Sequence, residues 1–123
     1  MGAKTPEDLD RLFGERINAG DVAGVVTLYQ ADAVLVGQDG TPATGHAAIR
    51  AALEGMAGAG AKITMNVVKS VAAGDVAVLY NDWRATIGEG STAMNVTGKA
   101  TEVCHRRADG SWLFAVDDPY ARG

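Results

Sequence analysis

The sequence predicts an α+β fold in which helices come first and antiparallel strands follow. Up to Met56, apolar residues recur at helical spacing, with capping residues before the segments and glycines after them. From Ala61 onward, apolar residues alternate with polar ones, and turn residues separate the runs. This order predicts a single domain over residues 1–123, a curved sheet wrapped around a helical layer, with no linker and no internal repeat.

The first helix is predicted to begin at Thr5. Thr5 can accept hydrogen bonds from free backbone N–H groups, Pro6 suits the first helical position, and acidic residues follow in the first turn. Gly20 ends the helix because glycine tolerates the left-handed backbone of a C-terminal cap. The apolar stripe consists of Leu9, Leu12, Phe13 and Ile17.

A second helix follows at once, with Asp21 as its capping residue. Its inward stripe is predicted to be Val22, Val25, Val26 and Tyr29. Tyr29 is interpreted as a core residue whose hydroxyl reaches the rim of the fold, with a ligand contact as the alternative.

A small hairpin and a third helix come next. Residues 33–36 form an apolar run suited to a buried strand, and residues 38–41 supply turn chemistry ahead of Pro42. Thr44 is predicted to cap the third helix, whose end lies among Gly55, Gly58 and Gly60. Its apolar face is Ile49, Leu53 and Met56.

The remaining chain is predicted to form four strands. Residues 62–67 alternate, residues 74–75 turn, and residues 76–81 are apolar on both faces, which predicts a central strand. After a turn at 88–90, residues 93–107 form a long strand, 108–110 a tight turn and 112–116 the last strand, ended by residues 117–119.

Composition limits the function. The net charge of -4 has no compensating basic stripe, which argues against nucleic-acid binding, and no apolar run approaches the roughly 20 residues that span a bilayer. The polar, acidic N-terminus does not resemble a secretory signal, so a cytoplasmic location is expected. The lone Cys104 is interpreted as a buried, inert thiol. The expected partners are small molecules or proteins.

Metal and cofactor signals are weak. His46 and His105 are far apart in sequence and lack metal-ligand spacing. No dinucleotide fingerprint follows a predicted strand, and no serine or cysteine lies in a recognisable nucleophile setting. We therefore expect neither a metal nor a cofactor.

Three segments resemble the SnoaL-like and ketosteroid-isomerase-like members of the nuclear transport factor 2-like superfamily: NAGDVAGVVTLYQADAVL, TGHAAIRAAL and RRADGSWLFAVDDPY. The SgcJ/EcaC-type subgroup is the narrower match. The resemblance implies a cystatin-like cone, with three N-terminal helices packed on a curved, mostly antiparallel sheet that encloses a pocket. It also implies a homodimer, often formed through the sheet. It says little about activity, since this superfamily includes isomerases, cyclases, dehydratases, epoxide hydrolases and non-catalytic binders.

The ketosteroid isomerase mechanism implied by the resemblance needs a carboxylate base, a tyrosine and a neutral carboxylic acid. On this chain the base position falls at Gly37, the tyrosine position at Phe13 and the acid position at Glu102. Without a base, no α-proton is removed by that mechanism, and Phe13 has no hydroxyl for an oxyanion. Steroid-type isomerisation by that route is therefore not expected.

The predicted catalytic residues are Glu102 and Asp117. If Glu102 enters an apolar cup, desolvation raises its pKa and makes it a general acid or base. On the outer sheet face it would instead pair with Arg84 or Arg106, and a register slip of one residue decides between the two. Alternation sends one of Asp117 and Asp118 inward, and the alignment that favours Glu102 selects Asp117; the alternative is a turn ahead of a proline.

The predicted substrate-binding residues are Tyr29, Asn81, Trp83 and Phe13. Asn81 and Trp83 share a strand face, where they could bind a carbonyl and stack on a planar ligand, or simply fill the barrel.

Three function hypotheses follow, of which the third is a protein without a ligand site. The first is a cofactor-free isomerase or cyclase that acts on a polyketide-like or enone substrate by carboxylate acid/base chemistry. The second is a non-catalytic binding or accessory protein of a biosynthetic pathway that takes a small hydrophobic or aromatic ligand. The third, a dimeric scaffold with a collapsed pocket, predicts no cavity.

Overall fold

The computed structural model describes residues 2–88 and 90–122. The described residues form three α-helices, one short 3₁₀ turn and a sheet of six strands in the order β2-β1-β6-β5-β4-β3. The helices are α1 (Pro6–Asn18), α2 (Val22–Val26) and α3 (His46–Gly58). The strands are β1 (Tyr29–Val36), β2 (Pro42–Thr44), β3 (Lys62–Ala73), β4 (Val76–Ile87), β5 (Met94–Arg106) and β6 (Trp112–Asp118).

The α+β prediction is confirmed, and the sheet is antiparallel except where β1 lies parallel to β6. Helix α1 begins as expected: Thr5 and Asp8 form a capping box, in which each side chain accepts from the other's backbone N–H. Gly20 has a φ of 75°, as a helix-ending glycine should.

The boundary after α2 differs from the prediction. The helix ends at Val26, and Tyr29 is the first residue of β1 rather than part of the helix stripe. The backbone N–H of Phe114 donates to the carbonyl of Leu28 at 2.8 Å, so pairing with β6 draws this segment into the sheet. Strand β1 therefore begins at Tyr29, ahead of the strand predicted over residues 33–36.

The start of α3 also differs. Thr44 pairs with Val34 inside the sheet, and the N-cap is Gly45, which has a φ of 86° and makes no side-chain capping bond. The helix continues through Gly55 to Gly58, and the left-handed residue beyond it is Gly60. Packing of Ile49 and Leu53 into the core offsets the low helix propensity of the glycines.

The core lies between the helices and the concave face of the sheet. Strand β4 is interior, as predicted, because it pairs with both β3 and β5. It is not buried on both faces: Ala77, Leu79 and Asn81 point inward, while Val76 on the other face is 42% exposed.

A β-bulge in β6 decides which side chains face the core. Trp112 and Phe114 are both buried, so simple alternation would send Asp118 inward. Phe114 pairs with Cys104 of β5, and Val116 pairs with the adjacent Val103. Ala115 is therefore the extra residue of the bulge. The bulge reverses the parity, and Asp117 rather than Asp118 points inward.

Candidate functional site

An apolar cavity of about 310 Å³ opens between the helices and the sheet. Its wall is made mainly of apolar side chains from α1, α3, β1, β3 and β4. Glu102 and Asp117 contribute the carboxyl groups of this wall. The volume is at the lower end of small-ligand pockets. A cavity with mostly apolar walls and a few converging polar groups is the usual form of a ligand site.

Glu102 and Asp117 form a cross-strand pair. They lie directly opposite each other on β5 and β6, and their side chains are 1% and 4% exposed, respectively. Directly opposed side chains in an antiparallel pair have Cβ atoms about 5 Å apart, so the two carboxyl groups share one environment. The structure thus brings together the two predicted catalytic residues and places Glu102 inside, away from Arg84 and Arg106.

A third carboxyl group, that of Asp10 on α1, lies against this pair. Asp10 is 2% exposed, accepts a hydrogen bond from the Asn81 amide at 3.0 Å and lies close enough to Glu102 for each group to affect the pKa of the other. Sequence reasoning missed Asp10. The signal was present, since Asp10, Phe13 and Ile17 recur at the spacing of one helix face, so a carboxylate stood on an apolar stripe.

Burial raises the pKa of all three carboxyl groups. Burial, and then the nearby charge of Asp117, raise the pKa of Glu102 well above its usual range. Burial also raises the pKa of Asp10, against the hydrogen bonds from Glu102 and Asn81, which lower it. For Asp117, burial raises the pKa to about 7, opposed by the hydrogen bond from Tyr29. Burial thus favours the protonated form of Glu102, and it places the pKa of Asp117 near neutrality.

Tyr29 and Asn81 hold the carboxyl groups from behind. The Tyr29 hydroxyl donates to Asp117 Oδ2 at 2.6 Å, and the ring packs on Phe114 with centroids 5.0 Å apart. Neither Tyr29 nor Asn81 is part of the cavity wall. The prediction that the Tyr29 hydroxyl reaches the rim is wrong, because Tyr29 is 1% exposed. Both residues support the carboxyl groups, in place of the ligand contact expected of them.

Trp83 and Phe13 do line the cavity. The Trp83 indole N–H donates to the carbonyl of Pro119 at 2.7 Å, and its ring meets Tyr120 edge-on with centroids 5.4 Å apart. Gly98 lies under the indole, where a Cβ would come within 2.5 Å of ring carbons. Trp83 thus packs as a core residue and forms cavity wall at once. Tyr120 was not foreseen as a wall residue.

Gly37 and Phe13, the positions where the resemblance predicts the isomerase base and tyrosine, also border the cavity. Gly37 follows β1 at the mouth, and Phe13 stands on the α1 wall. A Cβ on Gly37 would lie 3.2 Å from Asp39 Oδ1 and from the Thr41 carbonyl, so the turn is closely packed there. The carboxyl groups of the cavity wall come from β5 and β6 instead.

The histidines and the cysteine lie outside the carboxyl cluster. His46 Nε2 is 2.7 Å from the carbonyl of Tyr29, and exposed His105 contacts Gln30 through Nδ1 at 2.7 Å. Cys104 is fully buried, which raises its thiol pKa and favours the inert thiol form. In residues 2–88 and 90–122, no group of three or more His, Cys, Asp or Glu side chains is arranged to hold a metal ion.

The fold is a cone in which three helices pack on a curved sheet, with two carboxyl groups in the wall of an apolar cavity. The model of the SnoaL-like domain family matches residues 9–115. The chain belongs to this family.

Solved structures share the fold. A ketosteroid isomerase-like protein from Erwinia carotovora atroseptica is 19% identical, with a TM-score of 0.74, covering 91% of this chain and 89% of that one. An NTF2-like protein with a cystatin-like fold from Novosphingobium aromaticivorans is 16% identical, with a TM-score of 0.78, over 90% and 75%.

A candidate calcium/calmodulin-dependent protein kinase type II association domain from Thiobacillus denitrificans is 22% identical, with a TM-score of 0.79, over 97% of this chain and 98% of that one. At such identities these likenesses establish the cystatin-like, NTF2-like fold and nothing about activity. None of the curated proteins matches the chain. Among the described helices, none is both long and apolar enough to cross a membrane.

Proposed function

We propose that this chain is a small-molecule pocket protein that works as a cofactor-free isomerase or cyclase on a polyketide-like or enone substrate. The observation that carries the proposal is the pair Glu102 and Asp117, buried side by side at the floor of an apolar cavity. Burial raises the pKa of Glu102 well above its usual range and that of Asp117 to about 7, which favours Glu102 as the proton donor and Asp117 as the base in acid/base catalysis.

The proposed reaction starts from a β,γ-unsaturated ketone, the precursor of a conjugated enone, bound in the cavity. Ionised Asp117 removes an α-proton: the C–H bond breaks and an O–H bond forms on the carboxylate. The electron pair moves to the carbonyl oxygen, which accepts a hydrogen bond from protonated Glu102. Asp117 then returns the proton to a different carbon, so the double bond shifts and both acids recover their starting states.

The test is turnover of a panel of β,γ-unsaturated ketones and polyketide-like ketones, followed by the ultraviolet absorbance of the conjugated product. Glu102→Gln and Asp117→Asn should each lower kcat/KM by about 10²–10⁴-fold. In the wild type, kcat/KM should rise with pH through about 7, because Asp117 acts when ionised. Asp118→Asn is the control, since Asp118 lies one residue away and outside the cavity wall. Unchanged turnover in both site variants would contradict the assigned roles.

The second candidate is a non-catalytic binding or accessory protein of a biosynthetic pathway. Gly37 and Phe13 favour it, because the cavity is kept while the base and tyrosine of the isomerase mechanism are missing. Tight binding of aromatic polycycles by calorimetry, with no conversion after prolonged incubation, would support it. Measurable turnover would reject it. The third hypothesis, a collapsed scaffold, is disfavoured by the open cavity.

The remaining predictions concern the oligomeric state, the family subgroup, the cellular location and the partners. A homodimer formed through the sheet is supported by exposed apolar side chains on its strands: Val68 is 50%, Val71 49%, Val76 42% and Val116 37% exposed. Sedimentation equilibrium of the wild type would test it, and a monomer at micromolar concentration would oppose it. Membership of the SgcJ/EcaC-type subgroup, a cytoplasmic location and the absence of nucleic-acid and membrane partners stay predictions.

A further inference from the structure

We infer that the cavity binds an apolar ligand bearing a protonated amine, which Asp117 and Glu102 hold at the floor. The inference rests on the pocket part of the proposed function and is independent of turnover. It concerns the polar group of the ligand, which the apolar wall does not specify.

The floor of the cavity has too few hydrogen-bond donors. Glu102 belongs to the cavity wall, and its Oε1 atom is buried and receives no hydrogen bond from the described residues. Behind the wall, Asp10 Oδ1 and Asn81 Oδ1 are likewise without a hydrogen bond from these residues. Tyr29 and Asn81 each supply one donor, to Asp117 and to Asp10. An unsatisfied buried acceptor is costly, and the one on Glu102 borders the cavity, so a ligand that brings N–H groups to this wall is favoured.

The floor also lacks a positive charge. Each ion pair formed within residues 2–88 and 90–122 lies at the surface, and none includes Asp10, Glu102 or Asp117. Buried carboxylates in proteins are ordinarily paired with a cation or bound to a metal. A protonated amine supplies three donors and one positive charge at the same point. A carboxylate or phosphate ligand would add negative charge to an acidic site.

The wall suits such a ligand. The rings of Trp83, Tyr120 and Phe13 border the cavity, and an ammonium group within about 6 Å of an aromatic face gains cation–π attraction. The Trp83 indole N–H already donates a hydrogen bond to the Pro119 carbonyl, so it needs no acceptor from the ligand. The apolar part of the ligand would fill the cavity while the amine reaches the β5–β6 floor.

Binding of the amine should depend on pH through Asp117. The groups that act on Asp117 are Tyr29 from β1, Glu102 from β5, Asp10 from α1 and its neighbour Asp118. All are acidic or neutral. An amine stabilises the ionised form of Asp117, so it should bind more tightly at pH 8 than at pH 6. With a pKa of about 7, the ionised fraction rises about tenfold across this range, and so should the affinity.

The experiment compares three probes of similar shape by calorimetry: 1-naphthylmethylamine, 1-naphthylmethanol and 1-naphthoic acid. For the wild type at pH 8, we expect the amine to bind at least tenfold more tightly than the alcohol, with the acid weakest. The amine should lose about tenfold in affinity at pH 6, while the alcohol should not. Repeating the titration at pH 7 in buffers of different ionisation enthalpy should show release of about half a proton per amine bound.

Asp117→Asn should remove both the preference for the amine and its pH dependence while alcohol binding persists, and Asp118→Asn should keep both. Equal binding of amine and alcohol, tighter binding of the acid, or no amine binding at pH 8 would each overturn the inference. Proton release is measured on the wild type, so it tests the inference even if a variant fails to fold. Loss of the proposed isomerase activity would leave these binding results unaffected.

Discussion

Replacing Asp117 by asparagine tests whether the protein keeps an acidic floor at the expense of stability. The substitution removes one ionisable group and preserves the shape of the side chain. The asparagine Oδ1 can still accept the Tyr29 hydroxyl, which donates to Asp117 Oδ2 at 2.6 Å in the wild type. The main change is therefore electrostatic.

The magnitude follows from the pKa of Asp117, which burial raises from 3.8 to about 7. Between these values the folded state binds a proton that the unfolded state has lost, so stability falls as the pH rises. One pKa unit corresponds to about 1.4 kcal/mol, which makes ionised Asp117 unfavourable by about 4 kcal/mol above pH 7. Between pH 5 and pH 8, the wild type should lose about 3 kcal/mol through this group.

The assay is urea unfolding of the wild type, Asp117→Asn and Asp118→Asn at pH 5 and pH 8, with the free energy of unfolding extrapolated to water. Asp117→Asn should be more stable than the wild type at pH 8, and the gain should shrink at pH 5. Asp118→Asn should follow the wild type, since Asp118 is only half-buried. A wild type equally stable at both pH values, or an Asp117→Asn variant destabilised equally at both, would refute the reasoning.

Substitutions at Gly98 and Asn18 test the packing around the cavity, with Gly55→Ala as a control. Gly98→Ala would place a Cβ 2.5 Å from the ring of Trp83 and should lower the free energy of unfolding by about 1–3 kcal/mol, measured by thermal or urea unfolding. Gly55→Ala, on an open helix surface, should instead stabilise the protein by up to about 1 kcal/mol. Equal effects of the two substitutions would contradict the close approach of Gly98 to Trp83. Asn18→Ala removes hydrogen bonds to the Ile63 N–H at 2.7 Å and carbonyl at 2.9 Å and should cost about 1–3 kcal/mol. Asn18→Asp keeps one of these bonds and should fall in between, and no loss in either variant would show that the contact is dispensable.

Local chemistry is what made the fold predictable. The Thr5 cap, the left-handed Gly20 and the period-two strands act within a few residues, so the sequence displays them directly. Errors arose where a distant strand competes with local preference. Tyr29 has helical spacing from Val25 and Val26, yet β6 pairs with its segment and makes it a strand residue.

The site was predictable in part. Glu102 was selected by resemblance and Asp117 by the alignment that favours Glu102, and both lie at the cavity. Asp10 was missed, although it stands on the apolar stripe of α1, because a helix pattern alone does not show that a carboxyl group meets two others from strands about a hundred residues later. The catalytic and binding roles of these residues stay predictions.

The sequence by itself determined the order of helices and strands and the caps that bound the first helix. The resemblance added the prediction that Gly37 and Phe13 replace the base and the tyrosine of the usual isomerase mechanism. Tertiary structure alone decided the site. The bulge at Ala115 turned Asp117 inward, and cross-strand register set it opposite Glu102. These are long-range facts, because parity and register depend on pairing between strands, and the shift in each pKa follows from the burial that this pairing creates.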